Sequence, residues 1–426
     1  MLKAPRGTQD ILPPQSSQWI YLESVLRDVC RRYNYHEIRT PVFEQSELFS
    51  RTVGEATDIV EKEMYAFKDK TGRDLALRPE MTASVARAFV EHGMASGPLP
   101  RKFFYIGTMY RYERPQAGRY REHRQFGVEV LGSDSPYSDV EAIVLAMDAA
   151  EELGLTGTEL VLNSIGCPTC RAAYRKTLVE LLKGKIDELC PDCRSRLERN
   201  PLRVLDCKNE SCKAVTSGVP GMLDYLCPQC LEHWKEMTRL LGAQGIDFTV
   251  DSSLVRGLDY YTRTVFELKW PPLGAQNAIL GGGRYDGLVE EIGGQRIPGV
   301  GFAMGMERML MAVQKGLRPI GTDASIDVFV IGMKGADSLA SEAAFSLARS
   351  FRKSGLSCEF DPLQRSMKAQ MKQADKANAR FVAIVGDEEA KSRTVAVRSM
   401  GEGWQKTVGL DQVVPFVREE VQKLGR

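Results

Sequence analysis

The sequence predicts an α+β domain with a cysteine-rich insertion, followed by a smaller α/β domain. Three observations support this. Two apolar strand patterns enclose an arginine-rich loop within residues 103–132, which indicates a β-hairpin. Eight of the 10 cysteines lie between Cys167 and Cys230, so that segment differs in composition from its surroundings. Strand and helix patterns alternate after residue 326, which is typical of a small sheet with a parallel core.

Composition and charge limit the possible classes. A chain of 426 residues with 43% hydrophobic and 27% charged residues is long enough for two or three domains with full cores. The net charge of +1 predicts no polyanionic partner from global charge, so any RNA contact must be local. No apolar run has the length of a signal peptide or a membrane span. We therefore expect a cytoplasmic protein without membrane contact.

The chain before the central hairpin is predicted to form short elements. The predicted elements are a helix at 16–33, a strand, proline break and short helix at 38–51, a hairpin at 64–77 and a helix at 83–90. Pro41 favours an edge position for the strand in the second of these segments. Pro79 suits the start of the last helix, and Glu80 beside it would ordinarily be a surface acid near the helix N-terminus.

The central hairpin places arginines next to a carboxylate. Its second strand alternates Gln125, Gly127 and Glu129 with apolar residues, which predicts a half-buried strand with one polar face. Five arginines lie in the 14 residues between Arg111 and Arg124. Cations at the loop and a carboxylate behind them suit a polyanionic ligand with a basic part, and the ordinary alternative is a solvated charged hairpin.

The rest of the chain continues the α+β pattern and then changes to α/β. Further predicted elements are helices at 137–153 and 305–313 and strands at 248–252, 265–268, 278–283 and 299–304. No G-x-G-x-x-G follows a strand in a βαβ context, which argues against a dinucleotide-binding domain. Residues 316–325 have the composition of a linker. The C-terminal elements are strands at 326–332, 357–360, 381–385 and 394–397 and helices at 337–353, 365–378 and 410–424.

The clustered cysteines have the spacing of metal ligands. They form four short pairs: Cys167 with Cys170, Cys190 with Cys193, Cys207 with Cys212, and Cys227 with Cys230. Disulfides are unlikely in a cytoplasmic chain. Such pairs are typical of tetrahedral thiolate zinc sites, and four pairs could make two Cys₄ sites. The alternative is a set of reduced, packed thiols.

Several segments resemble class II aminoacyl-tRNA synthetases. Arg111, Glu113 and Arg114, followed by Arg121 and Glu129, resemble motif 2, and GVGFAMGMERML (299–310) resembles motif 3. The segments LVRGLDYYTRTVFEL (254–268) and GGGRYDGL (281–288) resemble the signatures of the histidyl-tRNA synthetase family, bacterial type. The resemblance runs from APRGTQDILP near the start to the C-terminal domain.

The resemblance implies a fold and an activity. It implies a catalytic domain on an antiparallel sheet in residues 1–325, with a helical, cysteine-rich insertion at about 167–240, and an anticodon-binding α/β domain in residues 326–426. It implies a homodimer, formed through the motif 1-like segment 38–51. It implies ATP-dependent ligation of L-histidine to histidine tRNA through a histidyl-adenylate, with Mg²⁺ on the phosphates. Zn²⁺ in the insertion is no part of the family's shared chemistry.

The resemblance also assigns roles to individual residues. Arg111 and Arg256 match the catalytic arginines near the α-phosphate, and they also belong to the histidine-binding set. The rest of that set comprises Glu80, Thr82 and Gln125 at the amino group, Glu129 and Tyr261 at the ring nitrogens, and Tyr260 and Tyr285 lining the pocket. ATP binding is carried over to Arg111, Glu113, Arg121 and Arg308, and tRNA binding to Arg114 and Gln116. A separate stripe of Arg365, Lys368, Lys372 and Lys376 could contact RNA or be a solvated helix face.

Two other functions remain as alternatives. One is the histidine-sensing, non-catalytic regulatory subunit of ATP phosphoribosyltransferase, which shares the fold but lacks the anticodon-binding domain. Arg256 and residues 326–426 argue against it. The other is a generic nucleotide-binding α/β protein, which requires all the motif matches to be coincidental.

Overall fold

The computed structural model describes residues 2–55, 57–116, 118–274, 276–316, 325–333 and 339–424. The chain forms two compact units, Met1–Ile320 and Gly321–Arg426. Residues 317–324 of the predicted linker lie outside the described residues. Within the described ranges, no helix has the length and apolar character needed to cross a membrane.

The first unit is a mixed α and β structure. Its helices are α1 (Gln15–Arg32), α2 (Ser46–Val53), α3 (Thr82–Glu91), α4 (Pro136–Glu152), α5 (Pro168–Lys183), α6 (Pro191–Arg199), α7 (Glu210–Thr216), α8 (Pro228–Ala243), α9 (Leu288–Glu291) and α10 (Met306–Lys315). Its strands are β1 (His36–Glu37), β2 (Phe43–Gln45), β3 (Ala66–Lys68), β4 (Asp74–Leu77), β5 (Arg101–Tyr110), β6 (Glu122–Leu131), β7 (Glu159–Ser164), β8 (Phe248–Val250), β9 (Thr262–Lys269), β10 (Ala278–Arg284) and β11 (Gly299–Gly305). Short helical turns lie at Ile59–Glu63, Met94–Ser96, Ile186–Glu188, Pro201–Val204, Met222–Tyr225 and Pro271–Leu273.

An 8-stranded sheet organises this unit, in the order β1-β5-β6-β11-β10-β9-β7-β8. The inner strands pair antiparallel, while β1 with β5 and β7 with β8 are parallel pairs at the two edges. The antiparallel catalytic sheet is therefore confirmed, with a parallel strand added at each edge. The strand within the segment 38–51 is β2, which lies at the edge of a separate 3-stranded sheet, as Pro41 favours.

Both faces of the sheet are covered. Phe126, Val128 and Val130 pack into one core with α1, α4 and α8. Tyr105 and the residues around α3 form a second core on the opposite face. β6 was predicted to be half-buried with one polar face, but residues 126–131 are buried on both faces, and Glu129 on the polar face is 1% exposed. A buried carboxylate needs compensating partners, so this strand carries a site rather than a surface.

The predicted hairpin at 64–77 is confirmed as β3 and β4, which join β2 in a separate 3-stranded sheet. Gly72 in its turn has φ +85°, a conformation that side chains other than glycine rarely adopt. Pairing in this small sheet holds α2 beside α3. The start of α3, where Glu80 and Thr82 lie, is thereby supported by elements on both sides.

The second unit is a 5-stranded sheet in the order β13-β12-β14-β15-β16. Its strands are β12 (Val328–Gly332), β13 (Cys358–Phe360), β14 (Phe381–Val385), β15 (Thr394–Ser399) and β16 (Gln405–Gly409). Its helices are α11 (Leu339–Lys353), α12 (Met367–Lys376), α13 (Asp387–Ser392) and α14 (Val413–Lys423). The first three strands are parallel, as predicted, while α13 and the antiparallel β16 have no counterpart in the prediction.

The basic stripe of this unit is shorter than predicted. Arg365 precedes α12 and forms an ion pair with the buried Asp361, with 2.9 Å between Nη2 and Oδ1. Lys368, Lys372 and Lys376 are exposed on α12. Three lysines of that helix therefore remain on a solvent-facing surface.

A buried ion network ties the insertion to the sheet of the first unit. Arg284 at the end of β10 and Asp139 in α4 are both fully buried and form an ion pair. Asp139 Oδ1 also lies 3.3 Å from Nε2 of His233 in α8. Arg284 donates further to Ser133 O at 2.8 Å and to Asp286 Oδ1 at 3.1 Å. Burial raises the pKa of Asp139, but Arg284 and His233 outweigh burial and hold the pKa below its usual value.

Breaking this network should cost far more stability than breaking a surface pair. We expect Asp139→Asn to lower the free energy of unfolding by about 3–5 kcal/mol, because Arg284 loses its buried counter-charge. Asp28→Asn removes exposed ion pairs with Arg31 and Arg32, which the solvent screens, so its loss of stability should be much smaller. Denaturant unfolding of both variants measures the difference. Equal, small losses would show that the buried pair does not hold these elements together.

Candidate active site

Two buried carboxylates lie behind the central hairpin. Thr82 Oγ1 donates a hydrogen bond to Glu129 Oε1 over 2.7 Å, and Tyr285 OH donates to Oε2 of the same carboxyl. Tyr105 OH lies 3.4 Å from Oε1. Burial raises the pKa of Glu129 to about 8, against the opposing effect of the hydrogen bonds from Tyr285 and Thr82. Burial thus favours the neutral form of this carboxyl group.

Glu80 is a buried cap and not a surface acid. Its two carboxylate oxygens accept from the backbone N–H groups of Thr82 at 2.8 Å and Ala83 at 3.0 Å, at the N-terminus of α3. Burial raises its pKa, although these bonds and the helix terminus favour the charged form. The side chain is 3% exposed, so the ordinary interpretation from sequence was wrong. The cap fixes the position of Thr82 and, through it, that of Glu129.

Tyrosine rings enclose this region. The ring centroids of Tyr260 and Tyr261 are 4.7 Å apart, and those of Tyr260 and Tyr285 are 5.8 Å apart. Close approach requires a glycine on the neighbouring strand, because a Cβ at Gly301 would lie 2.1 Å from Glu129 Oε2. Of these three tyrosines, Tyr285 donates a hydrogen bond to Glu129.

A second region, the arginine cleft, opens beside the tyrosines with a volume of about 410 Å³. The cleft contains charged side chains of both signs. Its arginines are Arg111, Arg119, Arg203, Arg256 and Arg308, and its carboxylates are Asp58, Glu63, Glu113, Glu267 and Glu307. Several preorganised guanidinium groups in one cleft suit an anion with several oxygens.

The cleft arginines are held by the scaffold. Arg111 Nε donates to Pro79 O at 2.8 Å, just before the helix that carries Thr82. Arg308 Nη1 donates to Ala278 O at 2.9 Å, across the start of β10. Arg256 forms an ion pair with Glu267 on β9, while its Nε is buried without a partner. The guanidinium of Arg256 therefore has one N–H group, at Nε, that is available to donate a hydrogen bond.

Arg256 depends on a glycine next to it. A Cβ at Gly281 would lie 2.2 Å from Arg256 Nη2, so only glycine leaves room for the guanidinium. Gly281 is the first of the three consecutive glycines in β10. This close approach gives a physical reason for a glycine at that position of the GGGRYDGL segment.

The hairpin loop presents its residues differently. Arg121 stacks over Tyr112, with 3.8 Å from its guanidinium carbon to the ring centroid, and its Nε donates to Glu113 O at 3.3 Å. Arg114 and Gln116 are exposed at the tip of the loop. The carbonyl of Gln116 accepts from Arg119 N at 2.9 Å, which closes the loop on itself.

The structure divides the predicted site residues into three places. Glu80, Thr82, Glu129, Tyr260, Tyr261 and Tyr285 belong to the carboxylate and tyrosine region. Arg111, Glu113, Arg256 and Arg308 line the cleft, and Arg114 and Gln116 lie on the loop. Gln125 lies on β6 with its Oε1 buried and without a partner, so it has an acceptor free for a ligand.

Sequence reasoning missed several residues of the cleft. Arg119 and His123 carried a signal, since both belong to the basic hairpin. Arg203 and Glu267 carried none, because Arg203 comes from the insertion and Glu267 from a strand that reads as ordinary β-structure. His123 is held neutral, since burial and the nearby Arg111 lower its pKa to about 3.

The eight clustered cysteines form two groups of four. One contains Cys167, Cys170, Cys227 and Cys230, and the other contains Cys190, Cys193, Cys207 and Cys212, with all sulfurs of a group within 4.8 Å of one another. All eight are free thiols. Sulfur separations of 3.5 Å and 4.0 Å in the first group and 3.9 Å in the second are close to the roughly 3.8 Å that tetrahedral Zn–S bonds require.

Helix starts place these thiols. Cys167, Cys190 and Cys227 are the N-caps of α5, α6 and α8, and a proline follows each of them. Proline suits the first helical position because its missing N–H would have no partner there. Burial raises the pKa of Cys167, but the backbone N–H groups of Cys170 and Thr169 outweigh it and lower the pKa to about 6. The thiolate form is thereby favoured at Cys167, whereas burial raises the pKa of Cys170 and Cys230 in the same group.

Comparison with known proteins agrees with this geometry. The sequence model of the family described as histidyl-tRNA synthetase matches residues 7–309, and that of the anticodon binding domain matches residues 327–420. The chain belongs to the histidyl-tRNA synthetase family. The two family models together match both the catalytic part and the anticodon-binding part of the chain. The regulatory subunit of ATP phosphoribosyltransferase lacks the second part, so this alternative is not favoured.

Individual relatives match over their full length. The chain is 51% identical over 423 residues to a histidine–tRNA ligase of Halothermothrix orenii, covering 99% of each sequence. It is 49% identical to one from Caldanaerobacter subterraneus, covering 98% of this chain and 100% of the relative. The apo histidyl-tRNA synthetase of S. aureus superposes with a TM-score of 0.83 at 38% identity, covering 98% of this chain and all of that one.

The raised pKa of Glu129 predicts how stability depends on pH. Between its usual pKa of 4.5 and about 8, the folded chain holds a proton that the unfolded chain releases. Stability must then fall as pH rises, by up to about 1.4 kcal/mol per pH unit. Glu129→Gln has no such proton. We expect the free energy of unfolding of the parent, minus that of the variant, to decrease steadily across this window. A flat difference would contradict the raised pKa.

Proposed function

We propose that the region around Glu129 and the arginine cleft together form the active site of a histidine–tRNA ligase. The enzyme joins L-histidine to its tRNA in two steps. The histidine carboxylate attacks the α-phosphorus of ATP and expels pyrophosphate, and a terminal ribose hydroxyl of the tRNA then attacks the histidyl-adenylate. The full-length match at 51% identity carries this conclusion.

We assign the histidine side to the carboxylate and tyrosine region. A ring N–H of histidine would donate to Glu129 Oε2, which accepts only from Tyr285 in the described contacts and retains capacity for a second donor. Glu80, Thr82 and Gln125 are assigned to the amino group, and Tyr260 and Tyr261 to the pocket wall and ring. A site built to bond a polar ring leaves its own groups unpaired with an apolar analogue, which gives strong selectivity without editing.

We assign the ATP side to the arginine cleft. Arg111 and Arg256 stabilise negative charge that develops on the α-phosphate as the histidine carboxylate attacks. Arg121 and Arg308 hold the γ-phosphate end and the adenine, and Glu113 contacts the adenine side. Mg²⁺ binds with the nucleotide phosphates and typically retains several waters.

We assign tRNA contacts to two places, each within one unit. Arg114 and Gln116 at the tip of the hairpin loop are exposed and match residues that read the extra 5′ guanosine of histidine tRNA. Lys368 and Lys372 on α12 are exposed within residues 326–426, the domain that we assign to anticodon binding. Residues 1–325 are assigned to catalysis.

We also propose a cytoplasmic homodimer formed through residues 38–51. In this segment Val42 and Phe43 are 40% and 54% exposed, which leaves apolar surface next to the small 3-stranded sheet. A contiguous exposed apolar surface on a soluble domain marks an interaction site more often than a solvent face. A second copy of the chain fits the homodimer that the family resemblance implies.

We further propose that each cysteine group binds one Zn²⁺ as a structural ion. The sulfur separations and the helix N-termini fit four thiolates around one ion, and no histidine or carboxylate is needed. The ion would supply no chemistry to the reaction. It would hold together an insertion whose small core combines these cysteines with leucine, valine, methionine and tyrosine side chains.

Metal analysis tests the zinc proposal. We expect purified protein to contain about two Zn²⁺ per chain, and a strong chelator to loosen the insertion, because structural zinc couples binding to folding. Cys193→Ser should remove one ion and leave the other. Cys358→Ser, at a cysteine outside both groups, should leave the metal content unchanged. Protein without bound metal would refute the proposal in favour of packed thiols.

Exchange of ATP and pyrophosphate tests the function itself. Arg256→Ala should lower the turnover of histidine-dependent exchange by about 10²–10³, because a preorganised charge at the α-phosphate is lost. The Michaelis constants should change much less. Parent protein that binds histidine without any exchange would overturn the assignment as a ligase.

The ion pair with Glu267 supplies the matched control. Glu267→Gln breaks the same pair but keeps the guanidinium, so it should lose much less turnover than Arg256→Ala. Thermal unfolding should show similar, small losses of stability in both variants. Equal losses of turnover would show that the pair acts only through structure.

A further inference from the structure

The segment that begins and ends at cysteines of the second group extends to the catalytic region. This arm, residues 190–212, begins at Cys190 and ends at Cys212, so the cysteine group closes it into a loop. It contains α6 and the short turn Pro201–Val204. The closure restricts the arm because both of its ends are fixed at one point.

Polar contacts fasten the arm to two segments beside the arginine cleft. Arg196 Nη2 lies 3.0 Å from Asp58 Oδ2, and Arg199 forms an ion pair with Glu61. Asn200 Nδ2 donates to Asp259 Oδ1 over 2.7 Å. Asp259 lies in the VRGLDYY segment, directly before Tyr260, and its N–H donates to Val53 O at 3.1 Å. The arm is therefore held against two neighbouring segments of the catalytic region.

The next residues of the arm bring a guanidinium into the cleft. Arg203 lines the cleft together with Arg256 and Gly257. A Cβ at Gly257 would lie 3.6 Å from Arg203 Nη1, so the guanidinium packs against the backbone next to Arg256. Its side chain is 18% exposed, compared with 47% for Arg194 on the same arm.

The only ion pair that Arg203 makes among the described residues does not explain this position. Its partner is Asp206, three residues further along, at 3.1 Å and with 42% of the side chain exposed. A pair of this kind contributes little to stability and would form equally well away from the cleft.

We propose that Arg203 binds phosphate oxygens in the cleft, so that the cysteine-closed arm supplies part of the substrate site. The phosphate belongs either to ATP or to the terminal nucleotides of the tRNA, since both must reach this cleft. The inference rests on the proposed function, because that function brings phosphates here. Asp206 holds the guanidinium when no phosphate is bound and is displaced from it by the stronger contact.

Arg203→Gln tests the proposal, with Arg194→Gln as the matched control on the same arm. The first measurement is histidine-dependent ATP–pyrophosphate exchange without tRNA. The second is single-turnover transfer from preformed histidyl-adenylate to tRNA. We expect Arg203→Gln to raise the Michaelis constant for ATP about tenfold or more, as loss of a charge-assisted contact does. Arg194→Gln should match the parent in both assays.

The two assays distinguish the sources of the phosphate. An unchanged constant for ATP with slower transfer would place the tRNA phosphate at Arg203 and still support the proposal. Parent values in both assays would overturn it and leave Arg203 as a structural partner of Asp206. Asp206→Asn removes the same ion pair but keeps the guanidinium, so a purely structural role predicts equal defects in both variants.

Two further results distinguish a folding defect from a binding defect, and failure of the proposed function from failure of the inference about Arg203. If Arg203→Gln does not fold, Arg203→Lys retains the charge without the planar fork and should show a smaller rise in the same constant. A parent protein without exchange activity would refute the proposed function. An active parent with an unaffected Arg203→Gln variant would refute only this inference.

Discussion

The buried ion pair between Arg284 and Asp139 is the interaction on which the active site depends. It joins the end of β10 to α4 and, through His233, to α8 of the insertion. Burying two charges is unfavourable unless their geometry and further hydrogen bonds compensate, and here Ser133 and Asp286 supply those bonds. The residue after Arg284 is Tyr285, whose hydroxyl donates to Glu129. The pair therefore fixes the backbone from which the pocket is built.

The site needs this rigidity because it holds two carboxyl groups out of water. Glu80 is compensated by the N-terminus of α3, and Glu129 by hydroxyl groups and by keeping its proton. The charged form of Glu80 is stabilised by backbone N–H groups, whereas burial favours the neutral form of Glu129. The electrostatic repulsion between the two carboxyl groups is therefore reduced. A small shift of α3 would move Thr82, which contacts both carboxyl groups. Packing of α3 between the sheet and the 3-stranded sheet prevents that shift.

Sequence patterns predicted most of the elements but not the burial of the polar ones. Alternation along β6 was visible, yet it could not show that α3 and the tyrosines cover the polar face. Glu80 looked like a surface acid, since a first-turn position gives no information on what packs above it. The spacing of the cysteines indicated metal ligands, but which pairs combine depends on how the helices fold back. Arg203 gave no signal, because only the path of the arm brings it to the cleft.

The insertion shows why thiol groups suit a segment of this kind. Its own core is small, and small cores rarely order a chain without an additional crosslink. One cysteine group joins the beginning of α5 to the beginning of α8 and closes the base of the insertion. The other closes the arm that brings Arg203 to the cleft. The closure at the base joins cysteines 60 residues apart, Cys167 and Cys227, and the closure of the arm joins Cys190 and Cys207, 17 residues apart. The entropy of loop closure grows only slowly with length, so the second closure orders the arm within the loop that the first one makes. The cysteine group at the base fixes where the insertion leaves the sheet. The cysteine group of the arm fixes the position of Arg203 in the cleft.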